Sequence, residues 1–121
     1  MQEIKLENII KQSANQIYAG IHWTKRKKLK DSYLWLTKAP FSRLQPVKEK
    51  INLQFDFFWG GRALDSSNCF FMAKMIEDCL VEYGILQDDT HQFVGKIIIE
   101  SHKSKLKDID YCVITILKRD Y

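Results

Sequence analysis

The residues best able to do chemistry lie between Gly61 and Asp89. Arg62, Asp65, Asn68, Lys74, Asp78, Asp88 and Asp89 fall there in the order G-R-A-L-D-S-S-N, a helical stretch, then G-I-L-Q-D-D. Carboxylates at this density suit a hard divalent cation, which takes oxygen ligands and fills the rest of its shell with water and phosphate oxygens. Asp65 precedes the helical stretch and the Asp88-Asp89 pair follows it. The unit is therefore expected to bring acidic groups from both ends of a helical hairpin toward one place. An isolated Asp-Asp pair ordinarily does no more than open a turn.

The helix that must position these groups is legible from its period. Met72, Met75, Ile76, Cys79, Leu80 and Tyr83 recur at three- and four-residue intervals, the spacing of one helical face. The pattern predicts a helix over about Cys69 to Tyr83, capped by Ser67 or Asn68. Gly84 is the expected stop, with Ile85 and Leu86 closing a Schellman end. Lys74 and Asp78 are four apart and fall off the apolar stripe, facing solvent or a substrate. Lys74 reads equally well as a solvated helix lysine.

Before this unit, Ile51, Leu53, Phe55 and Phe57 alternate with Asn52, Gln54 and Asp56, the two-residue period of a half-buried strand ended by Gly60-Gly61. After it, strands are expected over about Phe93 to Glu100 and about Asp110 to Leu117. A polar turn carrying Lys103, Lys105 and Lys107 joins them as an antiparallel hairpin. Nearer the N-terminus, Ile4, Leu6, Ile9 and Ile10 fit a short strand or an irregular lead-in. Asn15 to Tyr18 and Gly20 to Trp23 read as loop. Thr24 then caps a helix with Leu29, Tyr33, Leu34 and Leu36 on its apolar side, and Ala39 to Glu49, with Pro40 and Pro46, reads as a connection.

That first helix opens on Lys25, Arg26, Lys27, Lys28 and Lys30, beside Tyr18, His22 and Trp23. Positive charge at a helix N-terminus opposes the macrodipole, so the arrangement costs some stability. A solvated basic face and a phosphate-contacting patch both account for it.

Composition bounds the rest. At 121 residues with 45% hydrophobic and 28% charged residues, the chain fits one globular domain with a net charge of +4. No apolar run approaches the ~18 residues of a membrane span, and no signal peptide opens the chain, so a cytoplasmic protein is expected. Cys69, Cys79 and Cys112 have no Cys-x-x-Cys spacing and read as reduced thiols in or near the core. His22, His91 and His102 sit on separate elements, and no zinc site is expected from them. The expected architecture is α+β: a small mixed sheet with two main helices packed on one face, in a single domain over residues 1–121.

The order of strand, R-x-L-D-x-x-N, helix with a lysine and an aspartate, G-I-L-x-D-D and lysine-rich hairpin resembles the RusA family of Holliday junction resolvases, especially its phage-borne members. N-Q-I-Y-A-G-I-H-W-T-K-R-K-K-L-K at Asn15 to Lys30 is similar to the N-terminal region of that family, so the resemblance covers about Asn15 to Ile116. It implies a homodimeric, Mg²⁺-dependent endonuclease that acts on four-way DNA junctions in recombination and repair, with no membrane partner and no small-molecule cofactor. It further implies Asp65 and Asp89 as metal ligands, Asp88 as a ligand or supporting partner, and Lys74 as stabiliser of the attacked phosphate. Arg62, Lys25, Arg26, Lys27, Lys28, Lys30, Lys103 and Lys105 would be the DNA contacts. The chain departs from the family pattern at Ser67, where a second carboxylate is usual, and in the longer spacing from Asn68 to Lys74. A hydroxyl is a poorer magnesium ligand, so a branched-DNA-binding module of the same fold without cleavage is the alternative. Asp56 and Asp78 are the candidates to compensate.

Overall fold

The computed structural model describes residues 1–18, 23–105 and 109–119, so Gly20 to His22 of the expected N-terminal loop and Lys107 of the expected turn lie outside the described residues. In chain order the elements are β1 (Gln2–Glu7), α1 (Ala14–Tyr18), α2 (Trp23–Phe41), β2 (Ile51–Trp59), a 3-10 turn (Ser66–Cys69), α3 (Phe70–Glu82), β3 (Val94–Lys103) and β4 (Tyr111–Lys118). They form an α+β domain: a four-strand mixed sheet in the order β1-β4-β2-β3, with α2 and α3 packed against it over one core.

The centre of that core is β2. Its alternation puts Ile51, Leu53, Phe55, Phe57 and Trp59 wholly inside and leaves Asn52, Gln54, Asp56 and Phe58 half-buried on the other side. The rings of Phe55, Phe57 and Trp59 stack in sequence, with centroids 6.4 and 5.8 Å apart. At roughly 1.5–3 kcal/mol for each large apolar side chain taken from water, this strand is the natural interior member of the sheet.

That centrality corrects the expected hairpin. β3 and β4 run in opposite directions but are not neighbours, because β2 lies between them, pairing parallel with β3 and antiparallel with β4. The Ser104 N–H still donates to the Trp59 carbonyl, so the chain leaves β3 along the end of β2 before crossing to β4. Inserting β2 gives both of its backbone edges a hydrogen-bonded neighbour, which a β3–β4 hairpin would have denied it. Lys103 ends β3 and does not belong to the turn. The open question at the N-terminus resolves as a strand: β1 pairs antiparallel with β4, with Leu6 fully buried.

Three helical boundaries also differ. Ala14–Tyr18 is a short helix where a loop was expected, anchored by buried Ala14 and Ile17. α2 already contains Thr24 and runs through Ala39 and Pro40 to Phe41, because Leu29, Tyr33, Thr37 and Phe41 repeat every four residues and are all buried. Pro40 lacks the N–H that would meet the Leu36 carbonyl, so α2 gives up one intrahelical hydrogen bond near its end. The expected cap at Ser67 or Asn68 is absent: both lie in the 3-10 turn, and α3 begins at Phe70 without a side-chain cap. The other end of α3 forms as expected. Gly84 has φ 75°, its N–H donates to Val81, and the Ile85 N–H donates to Leu80, which is the Schellman pattern.

Candidate metal centre

The Schellman turn is what brings acid to α3. By sending Ile85 and Leu86 into the core, it folds the following Gln87–Asp89 segment back along the helix. Asp89 thereby reaches Lys74, although fifteen residues separate them, and the two form a hydrogen-bonded ion pair. On the helix itself, the Lys74 ammonium also lies 3.2 Å from Glu77 Oε1 and 3.1 Å from Asp78 Oδ1. Oxygens of Glu77, Asp78 and Asp89 all fall within 4.8 Å of one another. One lysine head thus sits among three carboxylates.

Burial divides the three. Asp78 and Asp89 are half-exposed, whereas Glu77 is only 3% exposed and, among the described residues, its Oε2 has no hydrogen-bond partner. Burial raises the Glu77 pKa above the ordinary carboxylate range, against the opposing pull of Lys74. The hydrogen bond from Lys74 lowers that of Asp89. Burial disfavours the charge on Lys74, but hydrogen bonds to Asp89, Asp78 and Glu77 outweigh it and hold the ammonium protonated beyond its usual range.

Of the residues singled out in the sequence, Lys74, Asp78 and Asp89 therefore come together. Asp88 sits beside them in the chain but turns inward on the backbone, its Oδ1 accepting from the Asp89 N–H at 2.8 Å. Asp65 is exposed at the start of the 3-10 turn. Among the described residues, neither Asp65 nor Asp88 belongs to a group of three potential ligands. The Asp65 carbonyl accepts from the Asn68 N–H at 2.9 Å, and the adjacent Ser66 hydroxyl accepts from the Ser101 N–H, fastening the turn to β3. Ser67 is exposed.

Glu77 was not among the sequence candidates, yet a signal existed. It lies four residues after Ala73 and three before Leu80, both buried, so a carboxylate occupies an apolar helical position. A second group went unseen for a different reason. Asp56, Glu100 and His102 converge on the other side of the sheet, where His102 Nε2 lies 2.9 Å from Asp56 Oδ1 and 3.7 Å from Glu100 Oε2. Only the parallel register of β2 and β3, which sets Asp56 beside Glu100, creates it. His102 also stacks on Phe58 at 4.7 Å, and Phe58 on Tyr111 at 4.6 Å. Asp56 therefore does not join the Lys74 group.

The basic residues lie where a phosphate backbone could meet them. Lys25, Arg26, Lys27, Lys28 and Lys30 are all exposed on the first turns of α2, although Arg26 also donates to the Ile17 carbonyl at 3.1 Å and so ties α1 to α2. Arg62 is exposed on the loop after β2. Lys11 donates to the Arg62 carbonyl, and Lys103 donates to those of Gly60 and Gly61, so both lysines hold the loop that presents Arg62. Lys105 is exposed.

No protein-family model matches this chain, and no curated protein matches it either. No described helix is long and apolar enough to cross a membrane. Cys69, Cys79 and Cys112 are free and buried, and burial pushes the Cys69 thiol up to about 11, so it is an inert core group.

Proposed function

We propose that this protein is a RusA-like, Mg²⁺-dependent endonuclease that acts on four-way DNA junctions as a homodimer. The observation that carries the reading is the meeting of Lys74 and Asp89 with two further carboxylates, in a chain that also exposes Arg62 and the basic first turns of α2. The donor set fits a hard cation: three carboxylates supply oxygens only, and the buried Glu77 Oε2 lacks a partner. When bound, Mg²⁺ supplies a bound water of lowered pKa and neutralises charge on the attacked phosphate. Asp89, Asp78 and Glu77 would hold the ion, Asp88 fixes the backbone that carries Asp89, and Lys74 would then be free to meet the scissile phosphate. Arg62 holds a neighbouring phosphate. Lys25, Lys27, Lys28 and Lys30 give affinity through the DNA backbone, which is independent of sequence and weakens as salt rises.

One observation favours a second reading, a junction-binding module without cleavage. Asp65 stands apart from the carboxylate group, and the exposed Ser67 brings no charge to offset that. The two readings separate when a labelled four-way junction and the matching linear duplex are incubated with Mg²⁺ or EDTA and scored for retardation and cutting. Nicking of the junction that needs Mg²⁺ and is lost in Asp89→Asn is the expected result. Selective retardation without cutting selects the binding module. Neither at low salt rejects both.

A further inference from the structure

The resemblance assigns the metal to Asp65, Asp88 and Asp89, all outside α3, and the conformation of α3 adds two carboxylates of its own beside Asp89 in place of Asp65. We infer that Glu77, Asp78 and Asp89 form the primary site for a hard divalent cation, Mg²⁺ or Mn²⁺, and that the Lys74 ammonium holds this place until the ion displaces it. The inference rests on the nuclease reading for the identity of the ion, but the site itself stands on the residues.

Two features of the group carry it. The first is Glu77. A carboxylate only 3% exposed, on an apolar helical position and with one oxygen unpartnered, is costly to keep unless something requires it. Lys74 satisfies Oε1 and leaves Oε2 without a donor. A divalent cation has charge enough for both oxygens, whereas a single ammonium already shared with Asp78 and Asp89 does not. The second is Lys74 itself. Its side chain is 50% exposed, so it has an open route out of the group once a stronger cation arrives. The three carboxylate oxygens lie within 4.8 Å of one another, a separation a single ion can bridge with small rotamer changes. In this arrangement Glu77 supplies the negative charge that Ser67 does not. Displacement also gives Lys74 its role, since an ammonium released by the ion is free to meet a phosphate. The metal would then assemble the site in two ways, by binding and by freeing the lysine.

The test is a Mn²⁺ titration of the full chain, read as free Mn²⁺ by electron paramagnetic resonance, alongside circular dichroism of each variant. Wild type should bind Mn²⁺, Glu77→Gln and Asp78→Asn should each weaken binding about tenfold or more, and Asp65→Asn should change it less than about twofold. Lys74→Met should tighten binding at least about fivefold, because a competing positive charge is gone. Weakening by Asp65→Asn with Glu77→Gln and Asp78→Asn unchanged overturns the proposal, as does Lys74→Met that weakens binding in a folded protein. Should Glu77→Gln fail to fold, the half-exposed Asp78→Asn and Lys74→Met decide the matter. Junction cutting is scored separately. Mn²⁺ held through Glu77 without cutting sinks the nuclease reading and leaves this site standing. Cutting that persists in Glu77→Gln and Asp78→Asn does the reverse.

Discussion

Among the described residues, two groups of three potential ligands lie on opposite sides of the sheet, and they are built differently. Asp56, Glu100 and His102 sit half-buried or exposed on the open side, and their needs are met locally. Gln54 donates to Asp56 Oδ2 at 3.0 Å, His102 pairs with Asp56 Oδ1, and Phe58 covers the imidazole ring. Glu77, Asp78 and Asp89 sit at the edge of the core, with one carboxylate driven inside, one of its oxygens left unpartnered and one lysine serving three acids. Proximity of acidic groups is common to both. What separates them is unmet demand: one group is already satisfied by its neighbours, and the other holds more negative charge than its single cation neutralises.

Lys74→Met should break that contrast most sharply. It leaves Glu77 buried without a counter-charge and should cost about 2–3 kcal/mol in urea unfolding without metal. Divalent ions should restore part of the loss. A cost no larger than that of a surface lysine would mean that Glu77 does not depend on Lys74. Gly84→Ala should come next, at about 1 kcal/mol, since φ 75° strains any side chain there. It should also weaken Mn²⁺ binding, because the same turn delivers Asp89. His102→Ala should cost less than about 1 kcal/mol and leave Mn²⁺ binding unchanged, as expected of a half-exposed pair. If His102→Ala matched Lys74→Met in either measurement, the two groups would no longer differ in kind.

The finest test is pH. Glu77 holds its proton more tightly folded than unfolded, so its contribution is fully present below its ordinary value of 4.5 and is lost as pH rises through the raised native value. Asp89 is the reverse: its contribution is present above 3.8 and is lost as pH falls through its lowered native value. Without metal, the stability of wild type relative to Glu77→Gln should therefore increase as pH falls toward 4.5. Parallel curves for the two proteins, followed by thermal unfolding across that range, would remove the buried charge from the account.

Much of the scaffold was legible because it follows from local periodicity. The odd residues of β2, the apolar stripe of α3 and the glycine stop at Gly84 each repeat or end a pattern within a dozen residues. What was misread depends on longer range. The short polar link from β3 to β4 has the length of a hairpin, yet the burial of Phe55, Phe57 and Trp59 draws β2 between those strands. Pro40 reads as a helix breaker, yet Phe41 is buried and holds the last turn of α2 in place.

The same division governs the candidate site. The sequence by itself determined that Lys74 and Asp78 share a helical face, because four residues make about one turn, and that the chain turns sharply at Gly84. It also determined that the cysteines are core thiols. Only the tertiary structure decided that Asp89 joins Lys74 while Asp65 stays apart, and how deeply Glu77 is buried. The path of a loop after its stop signal, and the depth to which a helix is buried, are set by packing against the rest of the chain. The helical period puts Glu77 on an apolar position, but no local pattern gives the depth of its burial, because the atoms that desolvate it come from elsewhere in the fold.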